Sequence, residues 1–255
     1  MDLSLIQDYV TSLLLHLVRV GAFMAVLPFL GKQRDSMILR LALSTSMAVI
    51  FWWIGDQQID APRHLIELAV MGVREAFIGV ALGFALATMT SMLASAGEFI
   101  SSEMGFSMAR TINPESGVSG TVISQLLQVV GVLMIFSLDL HHEALRTLER
   151  TFYACPVGEP FDLAPIWRGI VELVGGSVQL ALQYAFPIMG SMLLVSTGLV
   201  LLGRAVPAIN LMEFAFALRV LIALSGLALF LVEGAPFLVE SFTSILQRAA
   251  EMFPE

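Results

Sequence analysis

The sequence predicts an all-α, membrane-associated protein of about six long, partly bent helices arranged as helical hairpins. Three observations predict it. Of 255 residues, 57% are hydrophobic and only 13% are charged, against roughly 25% charged in an average soluble domain. The mean hydropathy is +0.85. Apolar segments fall at 3–30, 37–54, 65–96, 121–138, 165–203 and 211–247, and each approaches or exceeds the roughly 20 residues a helix needs to cross a bilayer core.

The first segment, MDLSLIQDYVTSLLLHLVRV, carries Asp2 and Asp8 where a signal peptide would be basic, and no small-residue cleavage site follows it. It is expected to be the first helix of the mature chain. After a loop holding Lys32 and Arg34 comes segment 37–54. In 65–96, Gly79, Gly83, Ala87 and Ser91 recur every four residues, a small-residue stripe that lets a neighbouring helix come close. Segment 121–138 carries Thr121, Ser124, Gln125, Gln128 and Gly131 along one stripe. Polar side chains there require a protein partner or a water path, and the residues leave both open. Segment 165–203 would be roughly 57 Å long as one helix, nearly twice the ~30 Å hydrocarbon core. It is expected to bend or protrude, with Gly175-Gly176 and Pro187 as the weak places.

Arg19, Arg74, Glu75, Glu172 and Glu233 lie deep inside these segments. Each would cost about 3 kcal/mol at a bilayer centre, so they are expected against other protein or at an aqueous level. The basic residues Lys32, Arg34, Arg40, Arg204 and Arg219 place the first loop and the 203–213 turn on the cytoplasmic side. With six helices, both termini then lie outside.

The net charge of -8 is spread thinly, with no basic patch that could follow a phosphate backbone, so nucleic acid is not an expected partner. The single cysteine, Cys155, can make no intrachain disulfide and belongs to no zinc-type cluster. It reads as a small packing residue. GVSG at 117–120 resembles an intramembrane serine protease motif. Its serine would need a histidine in reach, and His141 and His142 would stand about 33 Å along the same helix. DLHHE at 139–143 gathers potential metal ligands, but neighbours on one helix point apart and H-E-x-x-H spacing is absent. It reads as a polar turn on a short exposed helix, with Glu143 and Arg146 paired at i, i+3. Glu98 and Glu103 are five apart and share no helix face, which argues against a carboxylate dyad. No catalytic, cofactor-binding or metal-binding residue is assigned, and no enzyme is expected.

The most complete interruption of the apolar pattern is AGEFISSEMGFSMARTINPESGVSG, 96–120, with three glutamates, four glycines and a proline. This stretch and its flanks resemble the flagellar biosynthetic protein FliR family and its virulence-type counterpart, SctT. Arg19, Gly21 and Pro28 match a spaced R-x-G…P pattern, and REAFIGVALGF at 74–84 matches E-x-x-I-G-x-x-L-G-F. The 96–120 stretch matches A-G-x-x-I-x-x-x-x-G-x-x-x-A…D-P-x-x-G, with Asn113 in the Asp position. LDLHHEALRTLERTFYACPVG resembles the family's stretch ending in P-x-G, and RAVPAIN at 204–210 resembles R-x-x-P-x-x-N. Ala215 and Ala217 stand where the family usually has Gly and Pro, and Arg219 where Lys is common.

The resemblance implies a non-enzymatic structural subunit of a type III export gate in the bacterial inner membrane, at the flagellar basal body or its virulence counterpart, passing unfolded substrates. It implies FliP-like and FliQ-like partner subunits, FlhB-like and FlhA-like neighbours, membrane lipid around the gate, and no cofactor. Residues 1–160 would be FliP-like and 161–255 a FliQ-like hairpin marked by Arg204, Pro207 and Asn210. It also implies that 104–120 is a pore plug. The residues suit that role: Gly105, Gly117 and Gly120 give backbone freedom, Pro114 beside Asn113 stiffens the middle, and Met104, Phe106 and Met108 offer soft apolar contact. A small-solute transporter with interrupted helices is the competing class.

Overall fold

The computed structural model describes residues 3–28, 34–55, 59, 62, 64–105, 120–160, 162–205 and 211–253. Among them the chain forms eight α-helices: α1 Leu3–Val26, α2 Arg34–Gly55, α3 Leu65–Met104, α4 Val122–Ser137, α5 Leu140–Ala154, α6 Ala164–Ala205, α7 Leu211–Glu233 and α8 Ala235–Glu251. Five are long and apolar enough to cross a membrane, or six spans if α4 and α5 form one broken span. The all-α, membrane-spanning class is therefore as the composition requires.

The helix ends differ from the apolar segments for local reasons. α1 stops at Val26 because Pro28 disfavours helical backbone at the residue before it. α3 runs on through AGEFISSEM to Met104, so the polar break begins at Gly105, later than hydropathy places it. Residues 140–154 form a helix of 15 residues whose Leu140, Ala144, Thr147, Leu148, Thr151 and Phe152 share one buried face. The expected turn stands at 138–139 and Glu143 and Arg146 pair at 3.1 Å, but the short helix buries one face instead of being exposed all round. Segment 211–247 is broken at Gly234 into α7 and α8. A Cβ there would stand 2.6 Å from the Phe230 carbonyl and 3.2 Å from the Tyr184 ring, a space that only glycine leaves open.

By contrast, α6 passes through Gly175-Gly176 and Pro187 as one helix of 42 residues. Proline removes a single intrahelical bond, and breaking the remainder in an apolar setting would expose more backbone than it relieves.

The chain divides into two compact units. The first comprises Met1–Thr88, Ile135–Val174 and Thr243–Glu255. In it, α1 and α2 pack on each other, and two contacts set their direction. The Tyr9 ring meets Trp52 edge-on at 6.2 Å, and at the other end an Arg40 guanidinium N–H donates to the Ala25 carbonyl at 3.3 Å. The pair is therefore an antiparallel hairpin. The Phe152 ring of α5 stacks on His16 of α1 at 4.9 Å and touches Phe51 of α2 at 5.4 Å. The second unit comprises Met89–Met134 and Gly175–Phe242. There Gly97 abuts Ser124 and Gly131 abuts Thr90, so α3 and α4 are also antiparallel. Tyr184 of α6 packs between Phe230 and Phe237, 5.1 and 6.4 Å away.

Burial is uneven. In its most apolar window α3 is 67% buried, whereas α2 and α7 are each only 11% buried. Their outer faces, including Trp53 on α2 and Leu229 on α7, are left for lipid or other protein.

Candidate functional site

In the first unit the centre is a buried ion pair. Arg19 and Glu75 are 0% and 3% exposed, and the Arg19 Nε–H donates to Glu75 Oε2 at 2.5 Å. The other guanidinium nitrogens donate at 2.8 Å to the carbonyls of Thr151 and Cys155, at the C-terminal end of α5. The Thr151 carbonyl also accepts the Cys155 N–H at 2.9 Å, so Arg19 shares that acceptor and adds a donor to the Cys155 carbonyl at the helix end, where a cation also suits the helix dipole. The Phe152 ring lies 4.5 Å from the guanidinium carbon, adding a cation–π contact. On the far side, Glu75 Oε1 accepts the Gly158 N–H at 3.2 Å. The pair thus ties α1, α3, the end of α5 and the turn after it. Cys155 is buried in this cluster, and burial pushes its thiol up to about 11, with Arg19 opposing and Glu75 adding.

Glycines make that cluster possible. A Cβ on Gly79 would overlap the Arg19 carbonyl oxygen, and one on Gly83 would stand 2.7 Å from the Phe23 carbonyl oxygen. The close neighbour of the small-residue stripe is therefore α1 of the same chain. Ala87 is half-buried and Ser91 exposed, so the tight approach ends at Gly83.

In the second unit the structure describes both ends of the central break. Phe106, Met108, Asn113, Pro114 and Gly117 lie outside the described residues, as do Pro207 and Asn210. Met104 is 1% exposed, and Gly105 at φ 87 closes the helix, as left-handed glycine commonly does. Its N–H donates to the Ser102 carbonyl at 3.1 Å. On the returning side Gly120 has φ 106, and Thr121 is the N-cap of α4: its hydroxyl accepts the Ser124 N–H at 3.3 Å. The Thr121 N–H donates to Glu98 Oε1 at 2.8 Å, and the Thr121 and Ser101 hydroxyls are hydrogen-bonded at 2.7 Å.

The two strands of chain that carry the break are thereby fastened to each other at its base. Replacing Thr121 by Val should cost about 1 kcal/mol of local stability. This should appear as roughly fivefold faster amide exchange at residues 122–125; unchanged exchange would mean the cap does not hold the base.

The α4 polar stripe divides. Thr121, Ser124 and Gly131 are buried against α3, while Gln125 and Gln128 are exposed. Of the deep charges, Arg19 and Glu75 are buried, Arg74 is half-buried, and Glu172 and Glu233 are exposed. Arg204 is exposed in the last turn of α6. The residues identified the buried charges singly; their pairing across 56 positions was not readable, because nothing local links Arg19 to Glu75.

A multi-pass, all-α membrane protein with buried inter-helix charges and a fastened loop base is the class these features define. The chain matches the family model described as bacterial export proteins, family 1, over residues 10–249, and it belongs to that family. It is similar to the flagellar biosynthetic protein FliR of Caulobacter vibrioides, 29% identical over 224 residues and 88% of each chain. It is also similar to FliR of Bacillus subtilis, 27% identical over 92% of this chain and 90% of that one. With FliR of Escherichia coli the identity is 26% over 94% of this chain and 91% of the relative. The resemblance drawn from the motifs thus holds across nearly the whole length. The chain is a multi-pass protein of the bacterial inner membrane.

Proposed function

We propose that this chain is a non-enzymatic structural subunit of a type III, flagellar protein export gate, and that residues 104–120 are a plug in the path of unfolded substrates. The observation that carries the plug reading is the fastening of Ser101, Glu98 and Thr121 at the base of the break. A loop working in a pore needs fixed stems, so that its middle can be displaced without unravelling the helices that bear it. Family membership supports the gate reading, and the large exposed apolar faces of α2 and α7 suit burial against FliP-like and FliQ-like subunits. FlhB-like and FlhA-like proteins would adjoin them in the basal body.

Two measurements test this. Expressed under a tag with and without FliP-like and FliQ-like partners, the chain should enter a large defined complex only with both; a monodisperse particle of this chain alone would return the transporter reading. Within an assembled complex, deletion of 106–118 should preserve assembly but let ions leak. Unchanged membrane conductance in that complex would sink the plug assignment while leaving the gate reading standing.

A further inference from the structure

The break between α4 and α5 gathers a second set of side chains that the export reading does not use. Asp139 is held in the left-handed region at φ 54 and makes no side-chain capping bond to α5. Its backbone caps the helix instead, its carbonyl accepting the His142 N–H at 3.0 Å. The carboxylate is turned to the side chains: Asp139 Oδ1 lies 3.3 Å from His142 Nδ1. The neighbouring His141 ring sits 4.1 Å from that of His142 and 5.0 Å from Phe136. Its Nδ1 is buried with no hydrogen-bond partner among the described residues. One ligand atom from each of Asp139, His141 and His142 lies within 4.8 Å of the others. The left-handed residue sets Asp139 outside the regular helix, and His141 and His142, although adjacent on α5, have their rings turned together at 4.1 Å.

We infer that Asp139, His141 and His142 form a binding site for a divalent transition cation of the zinc class. Two imidazoles and a carboxylate are the donors such ions accept. With bonds of about 2.0–2.1 Å, ligand atoms of a tetrahedral ion stand roughly 3.3 Å apart, the separation Asp139 and His142 already have. The remaining closure needs side-chain rotation only, and water completes the coordination. The buried His141 Nδ1, costly while unsatisfied, gains a partner in the ion.

The test uses the full chain solubilised with its native partners under a streptavidin-affinity tag, stripped with EDTA and titrated with zinc against a colorimetric zinc indicator. One equivalent per chain should bind. His141→Ala, and separately His142→Gln, should weaken that binding at least about tenfold, and Asp139→Asn by a similar factor. His142 is 63% exposed at its side chain, so His142→Gln keeps the test valid if His141→Ala fails to accumulate. No zinc bound by the unmodified chain, or equal zinc bound by it and by His142→Gln, would overturn the site.

Discussion

Replacing Glu75 by Leu should remove most of the folded chain from the membrane. Arg19 is fully buried, and taking away the Glu75 carboxylate leaves a buried charge facing carbonyls, the Thr151 hydroxyl and the Phe152 ring, with no counter-charge among the described residues. Breaking such a pair from one side typically costs about 3–5 kcal/mol, a large part of a marginal total. Arg19→Met should be similarly damaging, because it strands Glu75, leaves the Cys155 carbonyl without its donor and takes one of two donors from the Thr151 carbonyl. The Arg19→Met/Glu75→Leu double variant should recover part of the loss, since no unpaired charge remains, but not all of it. The Cys155 carbonyl stays without its donor in that variant, at roughly 1–3 kcal/mol. Membrane-fraction immunoblots and thermal aggregation midpoints in detergent would read the four states of this cycle. A double variant no better than the worse single would mean that α5 capping, rather than charge pairing, dominates the cluster.

Gly79→Leu and Gly83→Leu should be the other severe lesions. Their new side chains would meet backbone oxygens of Arg19 and Phe23, and backbone cannot rotate aside as a side-chain tip can. Each should fall at or above the upper end of the ~1–3 kcal/mol cost of overpacking. Gly79→Leu should also disturb the ion pair, because the atom it displaces belongs to Arg19 itself. Gly21→Ala supplies the contrast. A Cβ at Gly21 meets nothing within 4 Å, so this change should be neutral or stabilising by up to ~1 kcal/mol through helix propensity. Equal recovery of Gly83→Leu and Gly21→Ala chains would show that α1 and α3 do not pack through these glycines.

The membrane class and the helical segments were legible in the sequence because both follow from composition and from the length of apolar runs, which are local properties. The same holds for two of the deep charges, Arg19 and Glu75, and for the Gly79–Gly83 part of the small-residue stripe. What came out differently was also local, but governed by single residues. Gly234 splits the last segment where a close aromatic and a backbone carbonyl leave no room for a side chain. Asp139 turns the chain in a left-handed conformation that hydropathy does not register. Segment 165–203, expected to bend or protrude, stays one continuous helix through Pro187, because one missing hydrogen bond is cheaper than exposing a helix interior in an apolar medium.

What the tertiary structure alone decided is which residues face each other. Sequence motifs ordered Arg19, Glu75 and the 96–120 break along the chain, and together they carried the family. They could not say that Arg19 would reach two carbonyls of α5 as well as Glu75, or that Thr121 would bind both Glu98 and Ser101 at the base of the break. Those contacts join positions 20 to 136 residues apart. A buried charge or hydroxyl shows in the sequence only as a need for some partner; which partner meets it is set by the packing of whole helices, and that is a property of the fold.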